Sequence, residues 1–181
     1  MRALLLISLT VALVVSAQST AAAPAVQTNS TPHFIGVYDS RVVAYAWFTS
    51  TDHRRVLDKQ MDSAKAAKAA GDTAKFEELS KALSELQAEM HRQVFSTAPA
   101  TGALVALKER LPDIQKQAGV SALISKWDDA ALKQNKSATQ VDVTDMLASE
   151  FKPGEKELKT IESIKKQKPV PLNEIDKMKD L

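Results

Sequence analysis

The sequence contains no cysteine, which at once excludes disulfides, thiolate metal sites and lipidation at a cysteine. Glycine occurs only five times in 181 residues, and none of the five builds a glycine-rich phosphate loop. Aromatic residues make up 5% of the chain, so the core is modest and part of the stability is expected from a partner or from further copies of the chain. The 24 basic and 22 acidic residues leave a formal charge of +2, which argues against the clearly basic face that nucleic acid selects. The largely apolar run Ala3 to Val15 falls short of the roughly 20 residues that span a bilayer.

That run follows Arg2 and precedes the small residues Ser16, Ala17 and Ser19 and a Thr-Ala-Ala-Ala-Pro stretch, which is the pattern of a secretory signal cleaved near Ala17 or Ala23. Residues 1–23 are therefore expected to be removed, and the loss of Arg2 takes the charge from +2 to +1. Residues 24–32 are largely polar and without periodicity, a flexible lead.

Two short β-like segments, Phe34 to Ser40 and Thr139 to Asp145, flank a long middle without strand signals. The first ends in Asp39-Ser40, a helix N-cap pair, followed by the very apolar Val42 to Phe48. Ile35, Val37, Tyr45, Trp47, Phe48, Val141 and Val143 are the expected body core or oligomer contact, since Trp47 and Phe48 are too apolar to stand in water on so small a body.

The middle reads as a helical arm, residues 53–95. A first helix from about His53 to Ala70 is rich in alanine, and Gly71-Asp72-Thr73 supplies a left-handed helix end and a new cap. The returning helix carries Phe76, Leu79, Leu83, Leu86 and Met90 at spacings of three and four, the stripe of a helix packed on another helix. Interleaved acids and lysines mark the remaining faces as solvated.

Beyond a loop at residues 96–102, Leu104, Leu107, Leu111 and Ile114 give a further stripe. Pro112 either kinks that helix at Leu111 or opens a second one at its first turn. Gly119 ends it, Ala122-Leu123-Ile124 suits a buried strand, Gln140 to Val143 alternates as the next, and Thr144-Asp145 caps a short helix, Met146 to Phe151. The tail, residues 152–181, turns at Lys152-Pro153-Gly154 and presents Leu158, Ile161 and Ile164 on one helical face. Pro169-Val170-Pro171 then forms a stiff link, and Asn173 caps a last helix with Leu172, Ile175 and Met178. Such a tail either packs on the body or docks a partner.

No constellation of catalytic residues emerges. His33, His53 and His91 are scattered without metal-site spacing. Asp39, Ser40, Asp142 and Asp145 serve better as caps than as acids, bases or nucleophiles. The chain is thus not expected to be an enzyme, and no metal or cofactor is expected.

Three segments, IGVYDSRVV (Ile35 to Val43), QKQAGVSALISKW (Gln115 to Trp127) and VDVTDMLASEF (Val141 to Phe151), taken in that order around a helical middle, resemble the Skp (OmpH-like) periplasmic chaperones. The resemblance implies an α+β fold: a small β-sheet body, residues 33–52 and 96–151, closed by the N- and C-terminal strands, with a projecting antiparallel helical hairpin. It also implies a homotrimer whose tentacles enclose unfolded outer-membrane proteins in the periplasm. Relative to that pattern the arm is short, the charge is nearly balanced and the tail after Phe151 is additional. The expected function is an ATP-independent holdase for unfolded outer-membrane or envelope proteins, with Met61, Phe76 and Met90 as client contacts. The alternative is an envelope scaffold or adaptor whose arm docks one specific partner.

Overall fold

The computed structural model describes residues 33–177; the expected signal and lead, residues 1–32, and Met178 lie outside them. Chain order is β1 (Phe34–Tyr38), α1 (Ser40–Phe48), α2 (Thr51–Ala69), α3 (Thr73–Phe95), α4 (Thr101–Ala106), α5 (Leu111–Ala118), β2 (Leu123–Ser125), α6 (Asp129–Gln134), β3 (Thr139–Asp142), α7 (Thr144–Ser149), α8 (Glu155–Lys166) and α9 (Leu172–Ile175). Helix and strand are mixed, as in an α+β chain in the broad sense. Every strand pair is parallel: β1 is central, with Gly36 opposite Leu123 of β2 on one side and Val141 of β3 on the other. Parallel pairing follows from the connections, because helices carry the chain back to the starting end before each new strand.

The next element, α1, is the hub of the fold. Its sequence is apolar all round, which makes a helix buried rather than amphipathic. Val42, Val43 and Ala44 are fully buried, and the helix packs against α3, α7, α4, α8 and α2. Asp39 caps its start by accepting the Arg41 amide proton at 3.1 Å.

Trp47 and Phe48 find their cover inside the chain. Phe48 is buried and Trp47 half-buried. The two rings lie 4.5 Å apart with His53 against both. His53 and Gly102 bring the starts of α2 and α4 against the Trp47 ring, which keeps part of its surface open. A β-carbon at Gly102 would overlap the edge of the Trp47 ring. Gly102→Ala is therefore expected to cost about 1–3 kcal/mol by overpacking, read as a lower midpoint in thermal unfolding. An unchanged midpoint would mean that the ring swings aside freely.

Between α2 and α3, Gly71 takes the left-handed conformation (φ 72°) and Asp72 accepts the Lys75 amide proton at 3.0 Å, so the expected breaker and cap act as such. The two helices pack along one another. Ala64 and Ala67 are the buried residues of α2, whereas Phe76, Leu79, Leu83 and Leu86 of α3 stay half-exposed.

Elsewhere one alternative is decided and two local expectations shift. Pro112 opens a separate helix, α5, rather than kinking one, and Gly119 closes it at φ 67°. The β3 strand stops at Asp142, whose Oδ1 accepts the Thr144 amide proton at 2.9 Å and turns the chain; Val143 lies beyond the strand, its amide still donating to the Val37 carbonyl at 3.0 Å, and is fully buried. Neither Thr144 nor Asn173 caps a helix with its side chain: the Thr144 hydroxyl is engaged by the Asp39 amide, and Asn173 lies inside α9, which begins at Leu172.

The tail packs on the body. Ile161 and Ile164 are buried, α8 lies on α1 and α9 on α3, and Val170 forms a parallel bridge with Ser96.

Candidate functional site

The seven residues expected in the body core divide in two. Ile35, Phe48 and Val143 are buried, while Val37, Tyr45, Trp47 and Val141 are half-buried, three of them (Tyr45, Trp47, Val141) against the main core cluster. The three expected client contacts do not form one surface either. Met61 is 41% exposed on α2. Phe76 is half-buried near the start of α3, with the Lys68 ammonium 5.4 Å from its ring centre. Met90 is half-buried and packs against the body core together with Leu86. Met61 and Val56, which is 56% exposed, stand on the two shoulders of the buried alanine stripe at about 100° per residue.

The densest polar arrangement lies at the end of the central strand. Asp39 is 1% exposed and accepts five hydrogen bonds. Oδ1 takes the Arg41 amide (3.1 Å), Arg41 Nε (3.1 Å) and Trp127 Nε1 (3.2 Å). Oδ2 takes Arg41 Nη2 (2.8 Å) and Lys126 Nζ (2.7 Å). Its own amide donates to Thr144 Oγ1 at 3.0 Å. Burial alone would raise this carboxyl, but the hydrogen bonds and charges of Arg41 and Lys126 outweigh it and hold the group below the usual carboxylate range. The Arg41 and Lys126 cations stand 5.0 and 4.7 Å from the Trp127 ring centre, and Arg41 Nη1 donates to the Gln167 carbonyl at 2.9 Å. Through its carboxylate, its amide and its partner Arg41, Asp39 thus ties together the ends of β1 and β2, the starts of α1 and α7, and the tail.

Such a group is an anchor rather than a base, because its lone pairs are already occupied. Ser40 is equally committed: it is fully buried and donates to the Ala98 carbonyl at 2.9 Å. Asp145 pairs with Lys165 at 2.7 Å. The three histidines remain apart. His33 meets Ser121 at 3.3 Å, His53 is held below its ordinary pKa by burial among Trp47 and Phe48, and His91 lies beside Phe95. Among the described residues no three His, Asp or Glu side chains gather as metal ligands, and no helix is long and apolar enough to cross a membrane.

Sequence reading found Asp39 as a cap and missed Arg41, Lys126 and Trp127. A signal existed in Arg41 two residues after the cap, the spacing at which its guanidinium folds back onto the carboxylate. The Lys126-Trp127 pair carried none, because it reaches Asp39 only through the β1–β2 register. Compared with family models, with curated proteins and with solved structures, the chain matches none of them.

Proposed function

We propose that the chain is a non-catalytic periplasmic holdase, in which α2 and α3 form a short projecting antiparallel hairpin that retains unfolded outer-membrane or envelope proteins without ATP. The half-open seam of the arm carries this reading. Phe76, Leu79, Leu83 and Leu86 keep part of their surface in water, with Val56 and Met61 exposed beside them. Dispersed, half-exposed apolar groups suit weak contacts at many points, and flexible methionine adapts to varied clients. The export pattern in residues 1–23 and the resemblance to the Skp (OmpH-like) chaperones support the periplasm as the compartment. A homotrimer belongs to the same proposal, with its contacts on the strand segments and on the part of Trp47 left open, which leaves the arm seam to clients.

The competing reading is an envelope adaptor that docks one specific partner. It is favoured by the balanced charge and by an arm whose first helix, 19 residues, spans only about 28 Å at 1.5 Å per residue. Light scattering of residues 24–181 with several unrelated urea-unfolded outer-membrane proteins separates the two. A holdase forms soluble assemblies with all of them; an adaptor leaves each to aggregate. Phe76→Ala is expected to weaken client retention while shifting stability by less than about 1 kcal/mol. A loss of about 3–5 kcal/mol with unaltered retention would assign Phe76 to the hairpin seam instead.

A further inference from the structure

A cleft of about 360 Å³ lies beside the Asp39 cluster, at the carboxyl ends of β1 and β2. Parallel sheets take ligands outside the carboxyl ends of their strands, where successive connections leave a central strand toward opposite sides. Here β1 is central and its neighbours β2 and β3 follow on opposite sides.

Tyr38, the last residue of β1, lines this cleft and is 4% exposed. A buried phenol ordinarily finds a hydrogen-bond partner, as the Trp127 indole does at Asp39. Among the described residues the Tyr38 hydroxyl has none. Unlike Gln93 Oε1, which is sealed in without a hydrogen-bond partner, the Tyr38 hydroxyl is not closed off, and the opening beside it is the cleft that Tyr38 lines. Burial and the nearby Asp128 charge raise its pKa, so it stays protonated at neutral pH and keeps an acceptor lone pair.

The rim supplies charge. Asp128 and Asp129 line the cleft, are exposed and form no ion pair among the described residues. One oxygen of Asp128 caps α6 by accepting the Ala131 amide proton at 2.9 Å, which leaves the other free. The neighbouring cations Arg41 and Lys126 are engaged by Asp39. Pro99, Leu123 and Ile124 provide the apolar wall.

We propose that this cleft is a binding site for a primary ammonium group on a short aliphatic stem, with the Tyr38 hydroxyl accepting its hydrogen bond and Asp128 and Asp129 balancing its charge. The stem lies along Pro99 and Leu123. Two sources carry this chemistry, a free alkylamine and the lysine side chain of a bound polypeptide, and the site does not depend on the arm.

The test is NMR titration of the ¹⁵N-labelled signal-less protein with n-butylamine, with N-acetyl-lysine methylamide and with neutral n-butanol. Both cations are expected to shift the amides of residues 123–131, and butanol to shift them at least tenfold more weakly. Tyr38→Phe is expected to weaken the cations about tenfold with an unchanged thermal midpoint, since the lost hydroxyl has no internal partner. Asp129→Asn, at an exposed rim position, is expected to weaken them and to reduce the salt dependence. Tighter binding of the lysine amide assigns the site to polypeptide side chains, and tighter butylamine binding assigns it to free amines; either ranking supports the cation site. Equal binding of butanol, no shifts in residues 123–131, or indifference to Tyr38→Phe overturns it.

Discussion

Replacing Asp39 by alanine is expected to cost about 3–5 kcal/mol, because it leaves the Arg41 guanidinium buried and uncompensated. Arg41 is 2% exposed, and among the described residues its one remaining acceptor is the Gln167 carbonyl. Against a total stability of about 5–15 kcal/mol, this is a fifth or more of what holds the chain folded. Urea unfolding followed by circular dichroism should show the midpoint fall by more than about 1 M. A shift of a few tenths would mean that water reaches Arg41 and that the cluster is far less dry than its burial indicates. The same site sets an acid limb. The folded carboxyl titrates below its unfolded value, so its contribution is complete above the unfolded pKa of about 3.9 and is lost as pH falls through the lower folded value. Asp39→Asn should flatten the pH dependence of stability below about pH 4 and leave its slope near neutrality unchanged.

Ile161→Ala is expected to cost about 2–5 kcal/mol, the range for truncating a buried aliphatic side chain, whereas Leu158→Ala on the same helix should change stability by less than about 0.5 kcal/mol. Ile161 is 2% exposed and Leu158 is 49% exposed. The contrast tests whether α8 is part of the core or an appendage. The helix is held by more than its isoleucines: Lys165 meets Asp145 at 2.7 Å, Arg54 meets Glu157 at 3.0 Å, and the Val170 amide donates to the Phe95 carbonyl at 2.8 Å. Thermal unfolding of the two variants gives the answer. If Ile161→Ala behaves like Leu158→Ala, the tail is a detachable strap and α1 is stable without it.

What could be read in advance was local chemistry. Gly71, Asp72 and Gly119 act where a left-handed residue or a cap is needed within a few positions, and Pro112 opens a helix because its missing amide costs nothing there. The apolar run at Val42 to Phe48 announced burial but not by what. The cover comes from α3 and from α4, α7 and α8, most of it far along the chain, so residues 42–48 alone do not tell a body core from a subunit contact at Trp47 and Phe48. Met90 shows a related limit: its spacing puts it on the arm stripe, while the end of α3 where it lies packs on α1. The Asp39 cluster was half legible. The cap follows from residues 39–41 alone, whereas Lys126, Trp127 and Thr144 converge on it only because β2 and the start of α7 flank β1.

The central position of α1 also sets an order of events. Its most apolar stretch leaves the ribosome early, yet the surfaces that cover it include α7 and α8, which are made roughly ten seconds later at 5–20 residues per second. Until Ile164 has been added, the Val42 to Phe48 segment has no complete place to go. Contacts this distant in sequence slow folding, so the α1 segment stays without its full cover through most of synthesis.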